Sequence, residues 1–299
     1  METLLTRFKR PFRTTWQATI RNLKSDWRYK FKLLLNSLYT VVNLVLFSVL
    51  ADVVQPKAGA LPLAYGSDPT LAFMKFLFVG TWFWAVFTHP IEDVIGCVQE
   101  ESQKGTIGLL LSNNVSVPIL LVGRFIASFI ISIILATIVV VPLLAALGMF
   151  TIGFFINLPW LLLAFACTTA FVLALSVWVS SYALLFKKTG VLSDIFTYGL
   201  KVATGMYFPI FGLGKAALIL EAVPVASGVD FMRDIFIVGQ PVAHGTPGMG
   251  FGWQATVPQW IAFVWQTQVV GIIVVVVIAI LSLRYCVKKA KMIGSVETY

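Results

Sequence analysis

Long uncharged apolar runs separated by short polar or basic intervals fill the chain from Leu33 onward. A helix rises about 1.5 Å per residue, so roughly 20 apolar residues cross a hydrocarbon core of about 30 Å. The first run, Leu33 to Ala51, has basic residues before it and Asp52 after it. The second, Pro69 to Ile91, carries Lys75 near one end, where the aliphatic stem can bring the ammonium to the headgroups. Phe125 to Phe186 contains no charged residue. As helix it measures roughly three bilayer thicknesses, so it must cross twice. Gly148, Gly153, Asn157 and Pro159 put the reversal at 148–159. The pattern then predicts a fifth span over Leu192–Gly212, interrupted by Lys201, Gly205 and Pro209, and a sixth over Trp260–Leu283. The expected fold is an all-α membrane protein with six transmembrane helices in one domain over 33–291 and a tail at 292–299.

Ahead of the first span, Phe12, Trp16, Ile20, Leu23, Trp27 and Phe31 recur at helical spacing within roughly one 100° stripe. Arg10, Arg21, Lys24, Arg28 and Lys32 lie mostly opposite, with Lys30 on the apolar side. This predicts an N-terminal amphipathic helix over 1–32 lying under the inner leaflet. The pattern suits adsorption to anionic lipid as well as contact with a protein partner.

Composition agrees: 59% of residues are hydrophobic and 12% charged, which excludes an ordinary soluble domain. Nine of the 22 basic residues precede Leu33, and 18 fall on one face of the six-span layout, with Lys57, Lys215 and Arg233 on the other. Basic flanks stay cytoplasmic, so both termini are expected inside. The net charge of +9 is then a topology signal, and no nucleic-acid partner is expected.

Candidate catalytic chemistry is sparse. Gly212-Leu213-Gly214-Lys215-Ala216 lacks the spacing and the hydroxyl residue of a phosphate loop. Ala226-Ser227-Gly228 is preceded by Val225, and His244 lies in a Gly- and Pro-rich stretch, which does not make a serine nucleophile with its base. Cys97, Cys167 and Cys286 are not placed for an extracellular disulfide, and His89 and His244 belong to no ligand-spaced cluster, so no metal is expected. Phe208 to Phe236, with Pro209, Gly212, Gly214, Glu221, Pro224, Asp230, Arg233 and Asp234, is too broken for a full span. Within an outer region at 213–258 it suits either a re-entrant helical hairpin between spans five and six or a surface loop carrying one helix.

The polar interval Glu92–Arg124 holds Glu92, Asp93, Glu100, Glu101 and Lys104, then Gly105, Gly108 and an apolar segment ending at Asn113-Asn114. It reads as a cytoplasmic helical hairpin, either docking into a partner or folding its leucines onto the membrane face. Glu100, Glu101, Lys104, Gly105, Thr106, Leu109, Leu110, Leu111 and Ser112 resemble the cytoplasmic loop of ABC-2 type transporter permeases, the transmembrane subunits of ATP-binding-cassette exporters. Asn113 stands where that family usually has proline, and Gly108 where a second acid is frequent.

The resemblance implies a coupling helix within Gln99–Asn113 and a connecting helix, with Trp16, Arg21, Lys24, Trp27 and Arg28, that touches an ABC ATPase subunit. It implies no cofactor on this chain, ATP and Mg residing on two copies of the partner ATPase. A second permease subunit, identical or related, would complete the transporter beside membrane lipid. Spans two and five would line the translocation path, offering Phe76, Trp82, Phe83 and Phe87, and Tyr198, Met206 and Tyr207, to a hydrophobic or amphiphilic cargo. The expected setting is a prokaryotic plasma membrane. The chain itself would be no enzyme. A membrane scaffold recruiting a soluble partner and a passive channel are the alternatives.

Overall fold

The computed structural model describes residues 4–53, 61, 63–103, 117–183, 185, 190–210, 215–242 and 257–293. Among them the regular elements are helices: α1 (Leu4–Arg28), α2 (Lys30–Val53), α3 (Pro69–Gln103), α4 (Val117–Ala146), α5 (Ile152–Ile156), α6 (Leu158–Ala183), α7 (Gly190–Ala203), α8 (Lys215–Glu221), α9 (Pro224–Ile237) and α10 (Val257–Ile293). A single 3-10 turn, Leu63–Tyr65, precedes α3. Five helices, α2, α3, α4, α6 and α10, are long and apolar enough to cross a membrane. Their outward faces are apolar: Ile134 and Ile138 on α4, Leu162 and Leu163 on α6, and Val269, Val270, Ile273, Val277 and Leu281 on α10 are all exposed. Helices greasy on their outer side fit a multi-pass membrane protein, since water would penalise so large an apolar belt.

Helix α3 is the axis of the bundle. It packs on α4, α6, α2, α7 and α9, and Phe76, Leu77, Phe83, Trp84, Val86, Phe87, Ile91 and Ile95 along it are almost wholly buried. It runs on past Ile91, with Pro90 inside it, so Glu92, Asp93, Glu100 and Glu101 stand on a helix already packed in the bundle. Helix α4 begins at Val117 and carries Arg124 within it. The expected reversal at 148–159 is present. Gly148 turns the chain with φ +69, Thr151 accepts the Phe154 N–H at 3.3 Å to start the one-turn α5, and α6 follows. For reference, α1 marks one end of the bundle and α5 the other.

The predicted fifth span differs. In place of a continuous helix over Leu192–Gly212, α7 stops at Ala203 after 14 residues, about 21 Å of rise. Gly205 adopts φ +61, a left-handed backbone favoured only for glycine, and an added Cβ would lie 2.7 Å from the Phe208 carbonyl oxygen. The helix therefore cannot continue.

In the polar segment after it, Ile219 of α8 is exposed but the helix that follows is interior. All of Pro224–Ile237 is buried. Helix α9 fits there because small residues let it in. Gly271 on α10 leaves room for the Pro224 ring, and a Cβ on Gly228 would meet Thr168 Oγ1 of α6 at 2.5 Å. Gln268 donates to the Pro224 carbonyl, and the Ser227 and Thr267 hydroxyls pair at 3.0 Å. Thr168 is ten residues into α6, so the start of α9 sits about 15 Å inside the bundle. Its other end reaches α5, where Asn157 Nδ2 donates to the Gly239 carbonyl at 2.8 Å.

Three charges on α9 are fully buried: Asp230, Arg233 and Asp234. Arg233 Nη1 holds Asp230 Oδ1 at 2.6 Å and Nη2 donates to the Gly205 carbonyl at 2.9 Å. Its guanidinium lies 3.8 Å from the Phe76 ring centroid, a cation–π contact. A side chain at Gly80 would collide with it, the Cβ falling 2.7 Å from Nη2. Asp234 accepts from the Tyr65 hydroxyl at 2.8 Å and from the Val242 N–H at 3.1 Å. Burial, then the neighbouring Asp234 and Asp230 carboxylates, push the Tyr65 phenol well above its ordinary value.

Candidate functional site

Besides the buried charges of α9, polar chemistry collects in two places among the described residues. At the α1 end, Arg124 on α4 joins three helices. Its Nη1 lies 3.3 Å from Asp26 Oδ1 of α1, and its Nη2 lies 3.3 Å from Asp93 Oδ2 and 3.9 Å from Glu100 Oε2, both on α3. Ser128, one turn along α4, donates to Asp93 as well. Nearby, Arg21 Nη2 of α1 meets Glu101 Oε1 of α3 at 3.1 Å. The Arg124, Asp26 and Asp93 side chains are 9–12% exposed. Their attraction is therefore less screened than that of the half-exposed Arg21.

The junction depends on the neighbouring glycine. A Cβ at Gly123 would sit 2.9 Å from the Ala18 Cβ and 3.3 Å from the Thr15 carbonyl, so only glycine admits α1 this closely. Helix α1 is consequently three-sided. Thr15, Ala18, Thr19, Asn22 and Asp26 share the side towards α4, with Thr19 and Asn22 buried. The apolar stripe faces outward, Trp16 at 53% and Trp27 at 64% exposure. Arg21, Lys24 and Arg28 are exposed on the third side.

Glu100 and Glu101 of the predicted coupling loop thus stand in this junction, on α3. Lys104, Gly105, Thr106, Leu109, Leu110, Leu111 and Ser112 lie outside the described residues. Asp26, Asp93 and Arg124 went unrecognised as site residues. A signal existed: Arg124 is the lone charge between Lys104 and Lys187, and Asp26 the lone acid between Arg10 and Lys32. A single charge on an apolar helix must find a partner.

The second place is a cavity of about 330 Å³ enclosed by α2, α3, α4 and α7. Helix α2 contributes Asn36, Tyr39, Thr40 and Asn43, and α3 contributes Thr81, Thr88, His89 and Glu92. Helix α7 adds Tyr198 and Lys201, with Met206 just beyond it. His89 Nδ1 and Glu92 Oε2 are 3.7 Å apart. The Thr40, Thr81 and Thr88 hydroxyls donate to carbonyls one turn back on their own helices, at 3.2, 2.8 and 2.7 Å, so their protons are already committed. The sequence signal here was the recurrence of polar residues at helical spacing inside apolar spans: Asn36, Thr40 and Asn43 on α2, and Thr81, Thr88 and Glu92 on α3.

Of the side chains expected along a path, Tyr198 and Met206 are on this wall. Tyr207 is half-buried, edge-on to Phe47 of α2 with centroids 5.8 Å apart. Phe76, Trp82, Phe83 and Phe87 are buried core instead. Trp82 sits between Phe165 and Phe236, at 5.7 and 5.4 Å, Phe83 packs on Phe87 at 4.6 Å, and Phe87 on Phe129 at 5.7 Å. Their rings cement α3 to α4, α6 and α9 because they point to the inner side of the most central helix. No family model and no curated protein matches the chain.

Proposed function

We propose that the chain is the transmembrane subunit of an ATP-driven exporter of the ABC-2 type, energised by a separate ATPase at its α1 end. One observation carries this reading: Arg124 clamps the N-terminal helix to the ends of α3 and α4, on either side of 104–116. A force applied by a partner to that connection reaches the spans only through a stiff joint, and a buried multi-carboxylate clamp is stiff. The outward tryptophan stripe and basic side of α1 suit the inner membrane surface, where an N-terminal helix of this composition settles.

The even crossing count follows if α7 and α9 are the two halves of one interrupted span. Helix α7 starts beside the α1 end, and α9 continues from mid-bundle to the α5 end, together spanning about 42 Å of rise. The described residues between them, 204–210 and α8, interrupt the span, and such backbone is tolerated at depth where protein covers it, as where Ile210 and Ala217 pack with Ala226 of α9. Two such subunits with two ATPases would alternate between inward-open and outward-open arrangements across the plasma membrane.

The test is co-purification and coupling. Pulling down the full chain should recover an ATPase whose turnover depends on it. Glu101→Lys or Leu110→Pro should leave the spans folded and separate hydrolysis from transport. A scaffold or a passive channel would retain full function with no ATPase attached, and that outcome would remove the proposal.

A further inference from the structure

We propose that the cavity between α2, α3, α4 and α7 is a binding site for an anionic, phosphate-bearing headgroup, held by Lys201. Lys201 is 4% exposed and lies eleven residues along α7 from Gly190, about 17 Å in from that helix's start. Among the described residues its ammonium makes no ion pair. Its recorded neighbour is the face of Tyr198, with the ring centroid 5.1 Å away. A lysine at membrane depth with no counter-charge is costly, and such residues mark ligand or ion positions.

The surrounding donors point the same way. The threonine protons on the wall are spent on the backbone. What remains on α2 and α7 are the Asn36 and Asn43 amides and the Tyr39 and Tyr198 hydroxyls, none of which makes a hydrogen bond within the described protein. Free N–H and O–H groups around one cation form an environment for an anion with several acceptor oxygens. Glu92 is on the same wall, but its side chain is 39% exposed and is paired with His89, so it does not neutralise Lys201. The volume suits a headgroup without its tails. Tails have an exit: Leu38, Tyr39 and Val42 on α2, and Ile195, Tyr198 and Val202 on α7, are apolar or aromatic and exposed. The site thus takes an anionic phospholipid or another amphiphile with that head, and it does not rest on the ATPase coupling above.

The experiment uses the full chain in uncharged detergent, titrated with short-chain phosphatidylglycerol or phosphatidylcholine and read by native mass spectrometry, with inorganic phosphate as competitor. Phosphatidylglycerol should bind at least about tenfold more tightly than phosphatidylcholine. Lys201→Gln should abolish that preference and Lys201→Arg should keep it. Asn43→Leu, which removes a donor from α2 without touching Lys201, should weaken phosphatidylglycerol binding too, and covers the case in which Lys201→Gln misfolds. Displacement by phosphate would identify a free anion as sufficient, and its failure would identify the lipid. Equal binding of the two lipids to the unmodified protein, an unchanged preference in folded Lys201→Gln, or undiminished phosphatidylglycerol binding in Asn43→Leu would overturn the proposal.

Discussion

Replacing Arg233 by methionine removes one fully buried charge and takes the cation from beside another. Asp230 loses its partner at 2.6 Å, the Gly205 carbonyl loses its donor at 2.9 Å, and Phe76 loses the guanidinium over its face. Breaking a buried pair from one side costs about 3–5 kcal/mol, mainly because the remaining carboxylate stays desolvated. At about 2–4 °C per kcal/mol for a chain approaching this size, the melting temperature should fall by roughly 10 °C. Removing both members is a different experiment. Asp230→Leu with Arg233→Met removes both charges of the pair, and its residual loss is the Gly205 hydrogen bond together with the Phe76 cation–π contact, about 1–2 kcal/mol each. The double variant should therefore melt well above the single Arg233→Met. Thermal unfolding of the four proteins in one detergent gives the double-mutant cycle and its coupling energy. The reasoning fails if Arg233→Met melts within about 1 kcal/mol of the unmodified chain, or if the two changes simply add.

Tyr65 yields a pH prediction. Its folded value lies above the ordinary 10.0, so the stability it contributes is complete below about pH 10 and is lost as pH climbs through the raised value. Tyr65→Phe should lower the melting temperature slightly at pH 7 and flatten the alkaline decline seen in melts above about pH 10. Gly228→Val must push Thr168 and Gln268 apart and displace α9, costing about 3 kcal/mol or more by overpacking, whereas Gly190→Ala, with no atom of the described residues within 4 Å of the added methyl, should be nearly silent in the same melts. Arg124→Ala leaves Asp26 and Asp93 without their shared cation, so limited proteolysis should cut between α1 and α2 at Arg28–Lys30 faster than in the unmodified chain. Retained protection there would contradict the clamp.

The long helices were legible because their cause is local: uninterrupted apolar composition over the length of a bilayer sets α2, α4, α6 and α10 with little help from context. Glycine and asparagine marked the turn at α5 for the same reason. Where partners decide, sequence reading fell short. Glu92 to Glu101 look like loop chemistry until Arg124 and Arg21 are seen to meet them, and the helix then continues through them. Helix α9 has the polarity of an outer loop, yet its charges answer one another and Tyr65, which permits complete burial. The aromatics of α3 belong to a core because of what packs around that helix, a fact carried by α6 and α9 and not by α3. The cavity's polar stripes were visible by spacing, but only the fold brings α2 and α7 to opposite sides of one void.

The left-handed residue at Gly205 also carries a mechanical consequence. Helix α7, ahead of it, packs chiefly on α3, while α9, beyond α8, is wedged among α3, α6 and α10. Regular helix already ends ahead of Gly205, whose carbonyl is held by Arg233, so a change in the direction of α7 would be taken up here. Lys201 stands on α7, and Asn36 and Asn43 stand on α2, around the same void. Turning α7 relative to α2 would therefore change the spacing of the groups that face that void.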